Sequence, residues 1–193
     1  MMVVLIAFAN KEKAEAPSFL VDKETKHTMP LTLTSPVFEN NGFVPEMYTC
    51  DGSNISPPLT VGSIPPDTVS LVLVMDDPDI PEAVKVARGI ERFDHWSVFN
   101  LPPDTTEIPE GGGLGVEGMN SAGRIGYTGP CPPTEYEPTT HRYIFRLYAL
   151  ARSLEFSNPP SLAEIETAAA AAATAKAELI GLYSRVRDGA EEL

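Results

Sequence analysis

The stretch Gly123–Leu150 reads GRIGYTGPCPPTEYEPTTHRYIFRLYAL and joins a turn-rich loop to a strongly β-forming segment. Its second half is rich in aromatic and other residues that favour strands. Tyr143, Phe145, Leu147 and Ala149 share one parity and would therefore line one face of a sheet. The sequence thus predicts a core strand here and a mainly β protein.

The first half of this stretch is predicted to be a rigid loop. Its segment Gly126–Pro133, GYTGPCPP, contains three prolines, which fix φ and lack a backbone donor. The segment therefore fits neither a helix nor a central strand. Because it precedes His141 at the start of the strand, it can form the wall of a pocket. The alternative is a stiff connection between two strands.

Two further segments predict core strands. Val69–Met75 is almost continuously apolar, as expected for a strand that is buried on both faces in the middle of a sheet. It runs into the acidic segment Asp76–Asp79. His95–Leu101 predicts the second strand, and the charged segment Ile80–Arg92 between them predicts a loosely helical excursion on the surface.

Length and composition indicate one domain. The chain has 193 residues with 19 prolines and 14 glycines, which favours short strands and long loops over a helix bundle. We predict a single domain over residues 30–193 and an N-terminal arm or leader remnant over residues 1–29. The apolar run Val3–Ala9 is too short to span a bilayer, and no basic residue precedes it. We expect a cytoplasmic protein, with export as the alternative if residues 1–9 are the remnant of a leader.

The C-terminal part is predicted to be helical. Ser161 and Glu164 have the spacing of a capping box, which marks the start of a helix over Leu162–Val186. Six consecutive alanines, Ala168–Ala173, support this prediction, because alanine has the highest helix propensity of any residue. We expect this helix to dock on the sheet.

The charge balance excludes some function classes. The chain has 14 Lys and Arg against 27 Asp and Glu, for a formal net charge of −13. A nucleic-acid-binding protein needs a basic surface, and so does a protein that adsorbs to anionic membranes. Any anionic ligand must therefore be held by local geometry, against the field of the whole molecule.

The two cysteines, Cys50 and Cys131, both lie in turn-like contexts, YTCDG and GPCPP. Two cysteines form neither a disulfide framework nor a structural zinc site. We expect two reduced thiols, with a disulfide between them as the alternative.

Polar side chains stand at the ends of the predicted core strands. His95 and His141 begin two of them, and Asp77 follows the end of a third. If these strands are antiparallel neighbours, the three residues meet at one end of the sheet, with the loop Tyr127–Pro133 as a lid. The alternative for each histidine is a structural hydrogen-bonding role.

Such a cluster would favour an anion. Two imidazoles, loop N–H groups and a tyrosine hydroxyl are donors suited to phosphate or carboxylate. The sequence contains no Gly-x-Ser-x-Gly, His-Glu-x-x-His or Cys-x-x-Cys motif, which favours binding over turnover.

A set of short motifs runs through the chain in a fixed order: Tyr48–Gly52, Ser56–Leu59, Asp76–Asp79, His95–Trp96, Gly126–Pro133 and His141–Tyr143. Together they resemble the phosphatidylethanolamine-binding protein family, also called Raf kinase inhibitor-like proteins, in its bacterial and archaeal branch. The resemblance covers about residues 31–187.

The resemblance implies an antiparallel β-sandwich with peripheral helices and a small anion pocket at one end. The pocket would hold the phosphate of a phospholipid head group or of a phosphorylated molecule, without a cofactor, a metal or an enzymatic step. Arg142 would pair with an acid such as Asp79. Carried over by motif, the ligand-binding residues would be Asp77, His95, Tyr127, Pro130, Cys131, Pro132, His141 and Tyr143.

Members of this family modulate kinases or inhibit serine proteases, so the resemblance implies a kinase or protease partner; a homodimer is also compatible with the sequence. Protease inhibition would use an exposed loop such as Thr134–Thr140. A different alternative is a metalloenzyme, because Asp77, His95 and His141 form the donor set of a non-haem iron site. Flanking prolines and a nearby arginine favour an anion over a metal.

Overall fold

The computed structural model describes residues 29–185. The predictions for residues 1–28, including that for the apolar run Val3–Ala9, lie outside the described residues. The mainly β fold class is confirmed, since two sheets and two α-helices make up the described chain. Neither helix between residues 29 and 185 is long and apolar enough to cross a membrane.

The strands are, in chain order, β1 (Thr32–Thr34), β2 (Gly42–Phe43), β3 (Leu59–Gly62), β4 (Ser70–Asp77), β5 (Phe93–Leu101), β6 (Glu107–Ile108), β7 (Val116–Glu117), β8 (Thr140–Leu150) and β9 (Ala173–Ser184). The helices are α1 (Glu82–Arg88) and α2 (Leu162–Ala170), and a 3-10 turn covers Glu46–Tyr48. One sheet has the order β1-β3-β6 and the other β2-β9-β8-β4-β5-β7. All pairs are antiparallel except β2 with β9.

β4 lies in the middle of the larger sheet, between β8 and β5, and every one of its residues is buried. This confirms the prediction from its continuous apolar sequence, since both faces of the strand contact protein. The predicted parity of β8 is also confirmed. Its residues Tyr143, Phe145, Leu147 and Ala149 all belong to one core cluster.

The hydrophobic core has two layers, one on each face of the larger sheet. The first lies between the sheets, where Leu33, Val61 and Ile108 of the smaller sheet join the same cluster as Leu73 and Phe145 of the larger one. On the opposite face, α2 packs against a second cluster with members Val72, Val74, Phe99, Tyr148, Leu162 and Ile165. The molecule is thus a sandwich of two sheets with α2 as an outer layer.

The predicted helix over Leu162–Val186 is wrong in its second half. The capping box of Ser161 and Glu164 is present and α2 begins at Leu162, but α2 ends at Ala170 and β9 follows. β9 pairs with all 11 residues of β8 and buries Leu179 in the core. Alanine's helix propensity amounts to about 0.5 kcal/mol per residue over ordinary residues, so long-range strand pairing outweighs it.

The expectation of two reduced thiols is wrong, because Cys50 and Cys131 form a disulfide with a Cα–Cα distance of 5.4 Å. A backbone hydrogen bond from Cys50 N to Pro130 O, 3.0 Å long, brings the two segments side by side. The bond therefore fixes the proline-rich loop to the segment after the 3-10 turn.

Removal of this bond by Cys50→Ser/Cys131→Ser is expected to lower the free energy of unfolding by about 2 to 4 kcal/mol. The reason is that the bond joins residues 81 apart in sequence and so restricts the unfolded chain. Urea unfolding measures the effect. Reductant should destabilise the wild-type chain and leave the double variant unchanged; equal midpoints for all samples would contradict the prediction.

Candidate functional site

The candidate site lies at one end of the larger sheet. β4 is antiparallel to both β5 and β8, so the end of β4 lies beside the starts of its two neighbours. This arrangement brings Asp77, His95 and His141 to the same cavity. The three side chains come from three strands that are adjacent in space but distant in sequence.

Asp77 and His141 form a buried pair. Asp77 Oδ2 lies 2.7 Å from His141 Nδ1, and Asp77 Oδ1 accepts a 2.8 Å hydrogen bond from the backbone N–H of Asp79. Because the carboxylate accepts, the proton of the imidazole is on Nδ1. His141 Nε2 is buried and has no hydrogen-bond partner within residues 29–185.

His95 is fixed in the same way by a backbone group. Its Nδ1 donates to the carbonyl oxygen of Thr128 over 2.6 Å, and the Thr128 N–H donates back to the His95 carbonyl over 3.0 Å. Burial lowers the pKa of His95, and the Thr128 carbonyl and the charge of Asp77 offset this only in part. His95 is therefore neutral at neutral pH, with Nε2 as its unprotonated nitrogen.

The cavity has a volume of about 230 Å³, which is below the roughly 300 Å³ at which pockets for drug-sized ligands begin. Its size therefore suits a small group such as one phosphate. Two histidines and one aspartate stand among mainly apolar walls and backbone. The lining residues are Asp77, Ile80, Pro81, Val84, Arg88, Phe93, His95, Thr128, Gly129, Cys131, Pro132, Pro133 and His141.

Three of the predicted ligand-binding residues do not line the cavity. The hydroxyl of Tyr127 donates to the carbonyl of Tyr48 over 2.6 Å, and the carbonyl of Pro130 accepts from Cys50. Tyr143 packs behind the histidines, with ring centroids 5.2 Å from His95 and 6.5 Å from His141. These residues hold the loop and the two imidazoles in place.

Arg142 lies outside the cavity, as predicted. Its Nε and Nη2 atoms donate to the carboxylate of Asp79 over 2.8 and 2.7 Å, and its backbone N–H donates to the same group. These hydrogen bonds lower the pKa of Asp79. The pair fixes the turn that follows Asp77.

Sequence reasoning missed the wall that α1 and its flanking residues provide. Ile80, Val84 and Arg88 line the cavity and are spaced four residues apart, so they face the same direction over α1 and its N-terminal flank. That spacing is visible in the sequence and is the signal that could have found them. Phe93, at the start of β5, completes this wall, and its ring centroid lies 4.8 Å from that of His95.

The metalloenzyme alternative gains no support from the geometry. No group of three His, Cys, Asp or Glu side chains in the described chain is arranged to hold a metal ion. Both oxygens of Asp77 already accept hydrogen bonds, one from His141 and one from Asp79. Asp77 thus orients the imidazole of His141.

A larger groove, of about 940 Å³, lies near β7 and the segment before α2. Its lining includes Phe99, Leu114, Phe156 and Pro159 and no histidine, lysine or arginine. The smaller cavity, in contrast, combines two histidines, an aspartate and an arginine, so we take it as the candidate site.

Comparison with known proteins identifies one matching family model and several similar sequences. The family model described as phosphatidylethanolamine-binding protein matches residues 34–184. A UPF0098 protein from Methanothermobacter thermautotrophicus is 41% identical over 162 residues, covering 80% of this chain and 99% of that protein. A UPF0098 protein from Pyrococcus horikoshii is also 41% identical, covering 78% of this chain and 75% of its own length.

Two solved structures resemble this one. A phosphatidylethanolamine-binding protein homologue from Chlamydia trachomatis has a TM-score of 0.73 and 37% identity, covering 81% of this chain and 99% of the other. YbcL from E. coli, described as a member of the mammalian family, has a TM-score of 0.72 and 26% identity, covering 82% and 100%.

Proposed function

The chain belongs to the phosphatidylethanolamine-binding protein family, and from this premise we propose that it is a non-enzymatic binding protein for phosphate-bearing ligands. The ligand is a phospholipid head group or a phosphorylated small molecule. Its phosphate sits in the cavity between His95 and His141, while the rest of the ligand extends to the mouth.

One observation carries this proposal above the others, the buried and unpartnered Nε2 of His141 beside an open cavity. A buried polar atom without a hydrogen bond costs free energy, on the order of 1 to 3 kcal/mol. A ligand oxygen in the cavity would remove that cost. Because Nδ1 of this ring is hydrogen-bonded to Asp77, Nε2 is the nitrogen left to contact an anion in the cavity.

The second imidazole supports the same ligand. His95 Nδ1 is committed to Thr128, which leaves Nε2 as the atom that faces a ligand. Two rings, each held through Nδ1, present two Nε2 atoms with little freedom to move. Nitrogen atoms held in fixed positions favour binding, because little side-chain entropy is lost when the ligand arrives.

The same features argue for binding without turnover. Cys131 is the one cysteine among the lining residues. It forms the disulfide with Cys50, so it has no free thiol that could act as a nucleophile. No serine or lysine lines the cavity. A bound phosphate therefore meets no thiol, serine or lysine of the described chain, and His95, His141 and Asp77 are each already engaged in a hydrogen bond.

Calorimetric titration with inorganic phosphate and with O-phosphoethanolamine tests the proposed function, followed by crystals soaked in each. Density for phosphate within hydrogen-bond distance of both histidine Nε2 atoms is expected. Binding that is absent for both ligands, or density at another place in the molecule, would contradict the proposal.

The affinity for a singly charged anion is expected to rise as the pH falls. Burial lowers the pKa of His95, so in the free protein its Nε2 lacks a proton at neutral pH and cannot donate. An anion favours the protonated ring, so binding includes proton uptake by His95. The affinity therefore rises as the pH falls, until the pH is below the lowered pKa of His95 in the free protein. The other titratable groups that line the cavity are Asp77, Arg88 and His141.

Dimethyl phosphate is a suitable probe for this pH dependence because it remains a monoanion across the range. Titrations between pH 8 and pH 5 should show increasing affinity, and calorimetry in buffers of different ionisation enthalpy should show proton uptake. An affinity that does not change, or that falls with falling pH, would count against the assignment of His95 as a ligand-binding residue that takes up a proton.

A second candidate function is serine-protease inhibition through the loop Thr134–Thr140. Tyr136 on this loop is 44% exposed, and chymotrypsin-like proteases accept an aromatic side chain in a hydrophobic slot. Inhibition of chymotrypsin that is lost in Tyr136→Ala would support this function. Modulation of a kinase remains a prediction from the family resemblance, and formation of a homodimer remains a prediction from the sequence.

The proposed cytoplasmic location has one argument against it. Disulfides such as Cys50–Cys131 are rare in the cytosol of mesophiles and persist in oxidising compartments or in hyperthermophiles. The bond thus favours the exported alternative unless the source organism is a hyperthermophile. Free-thiol labelling of the protein in its native cells distinguishes the two.

A further inference from the structure

The residues inside the cavity supply little positive charge to balance a doubly charged anionic ligand. Asp77 is a carboxylate, His141 shares a proton with it, and His95 is buried and bound to a neutral carbonyl. A phosphate monoester carries up to two negative charges. The whole chain adds a formal charge of −13. An additional cation at the cavity is therefore needed to hold a doubly charged ligand.

Arg88 is the one lysine or arginine among the residues that line the cavity. It lies in the last turn of α1, and its guanidinium carbon is 5.7 Å from the centroid of the Phe93 ring. That ring is in turn the neighbour of His95. The guanidinium is thus held at the mouth of the cavity, one aromatic ring away from a ligand-facing imidazole.

Arg88 also lacks an acidic partner. Arg92, Arg142, Arg146 and Arg185 each form ion pairs, whereas Arg88 forms none with residues 29–185. The chain has nearly twice as many acidic as basic residues. An arginine at the cavity without an acidic partner therefore has a guanidinium available for hydrogen bonds to an anionic ligand. Its contact with Phe93 fixes its position without neutralising its charge.

We propose that Arg88 is a ligand-contacting residue that selects phosphate monoesters, which carry two charges, over phosphodiesters, which carry one. This inference rests on the proposed function. His95 and His141 bind the inner phosphate oxygens, and the planar Arg88 guanidinium binds an oxygen at the mouth. A diester presents an alkyl group there, gains little from the guanidinium, and depends on the two histidines.

The test compares methyl phosphate with dimethyl phosphate at pH 8, where the first is a dianion and the second a monoanion. For Arg88→Gln, the affinity for methyl phosphate is expected to fall about tenfold or more. Its affinity for dimethyl phosphate should change less than about threefold, since that ligand presents an alkyl group to the guanidinium and loses no charged contact there. Arg88→Lys keeps the charge and should restore part of the preference.

Arg152→Gln is the matched control, because it removes the same charge from an exposed residue. It follows the far end of β8, so it lies roughly 30 Å from His141 at about 3.4 Å per residue. Both affinities should stay within about twofold of wild type in this variant, as expected for a remote, screened charge. Thermal melting of each variant verifies that it is folded.

The outcomes separate the two proposals. If the wild-type chain binds methyl phosphate and Arg88→Gln binds it equally well, or loses both ligands to the same extent, Arg88 does not select for charge and the inference is overturned. If the wild-type chain binds neither ligand at pH 8 and still binds neither at pH 5, the proposed function itself fails, and the inference with it. Selective loss of methyl phosphate in Arg88→Gln alone supports both.

Discussion

Replacement of both ligand-facing imidazoles, as in His95→Ala/His141→Ala, is expected to abolish phosphate binding. Each ring contributes a hydrogen bond to a charged ligand, and such bonds contribute about 1.5 to 3 kcal/mol each. Loss of both should weaken binding by about two to four orders of magnitude. Calorimetric titration with O-phosphoethanolamine measures the loss.

The double variant needs controls for folding, because His141→Ala removes the partner of a buried carboxylate. His95→Phe leaves the Asp77–His141 pair intact and fills the ring's volume; it should lose at least about tenfold in affinity. His27→Ala alters the one remaining histidine of the chain and should bind as wild type does. Undiminished binding by folded His95→Phe would contradict the prediction.

Replacement of Arg146 by methionine is expected to lower the free energy of unfolding by about 3 to 5 kcal/mol. Arg146 forms a direct ion pair with Asp76, which is fully buried, and also contacts Glu166 and Glu178. Methionine keeps most of the aliphatic stem but leaves Asp76 with Arg92 as its remaining cation, 3.3 Å away. A buried charge that loses its main partner is strongly destabilising.

This loss should depend on pH in a defined direction. Burial raises the pKa of Asp76, and Arg146 is the main influence that lowers it again. Without Arg146 the pKa of Asp76 in the folded state rises further above its value in the unfolded chain. The folded state then binds more protons than the unfolded state, so stability falls as the pH rises through this range. The destabilisation should be smaller at pH 5 than at pH 7.

Urea unfolding at the two pH values measures this effect. Arg185→Met is the matched control, because Arg185 pairs with Asp51 at the surface, with both side chains about a third exposed. Exposed pairs contribute about 0 to 1 kcal/mol, so the control should lose little at either pH. An equally small loss in Arg146→Met would show that the Asp76 cluster contributes no net stability.

Asp76 and Asp77 also illustrate why adjacent acids at a strand end have different roles. Successive side chains of β4 point to opposite faces of the sheet. Asp77 therefore joins the cavity, whereas Asp76 joins the ion-pair cluster with Arg146. Arg146→Met should leave phosphate affinity unchanged at temperatures where it is folded, which separates stability from binding.

Local sequence patterns predicted the strands that position the candidate site. The apolar run of β4 and the alternation of β8 depend on burial of one or both faces, which is a local signal. Asp77 and His141 can lie close together only if β4 and β8 are neighbouring strands. The sequence alone did not predict which strands are neighbours. The antiparallel pairing in the structure brings these two together.

Features that depend on distant partners could not be predicted. The segment Ala173–Ser184 has the local propensity of a helix, and only its pairing with β8 makes it a strand. The Cys50–Cys131 bond likewise depends on the proline-rich loop lying against a turn 81 residues earlier. Arg88 was overlooked for a different reason. Its spacing from Ile80 and Val84 marks one shared face in the sequence, but only the structure shows that this face lines a cavity.

Imidazole ¹⁵N NMR during titration with O-phosphoethanolamine observes the two proposed ligand contacts themselves, because the chain has only three histidines. The Nε2 resonances of His95 and His141 are expected to shift together and saturate with the ligand, while those of His27 do not move. Saturable binding that leaves the Nε2 resonances of both His95 and His141 unchanged would contradict it.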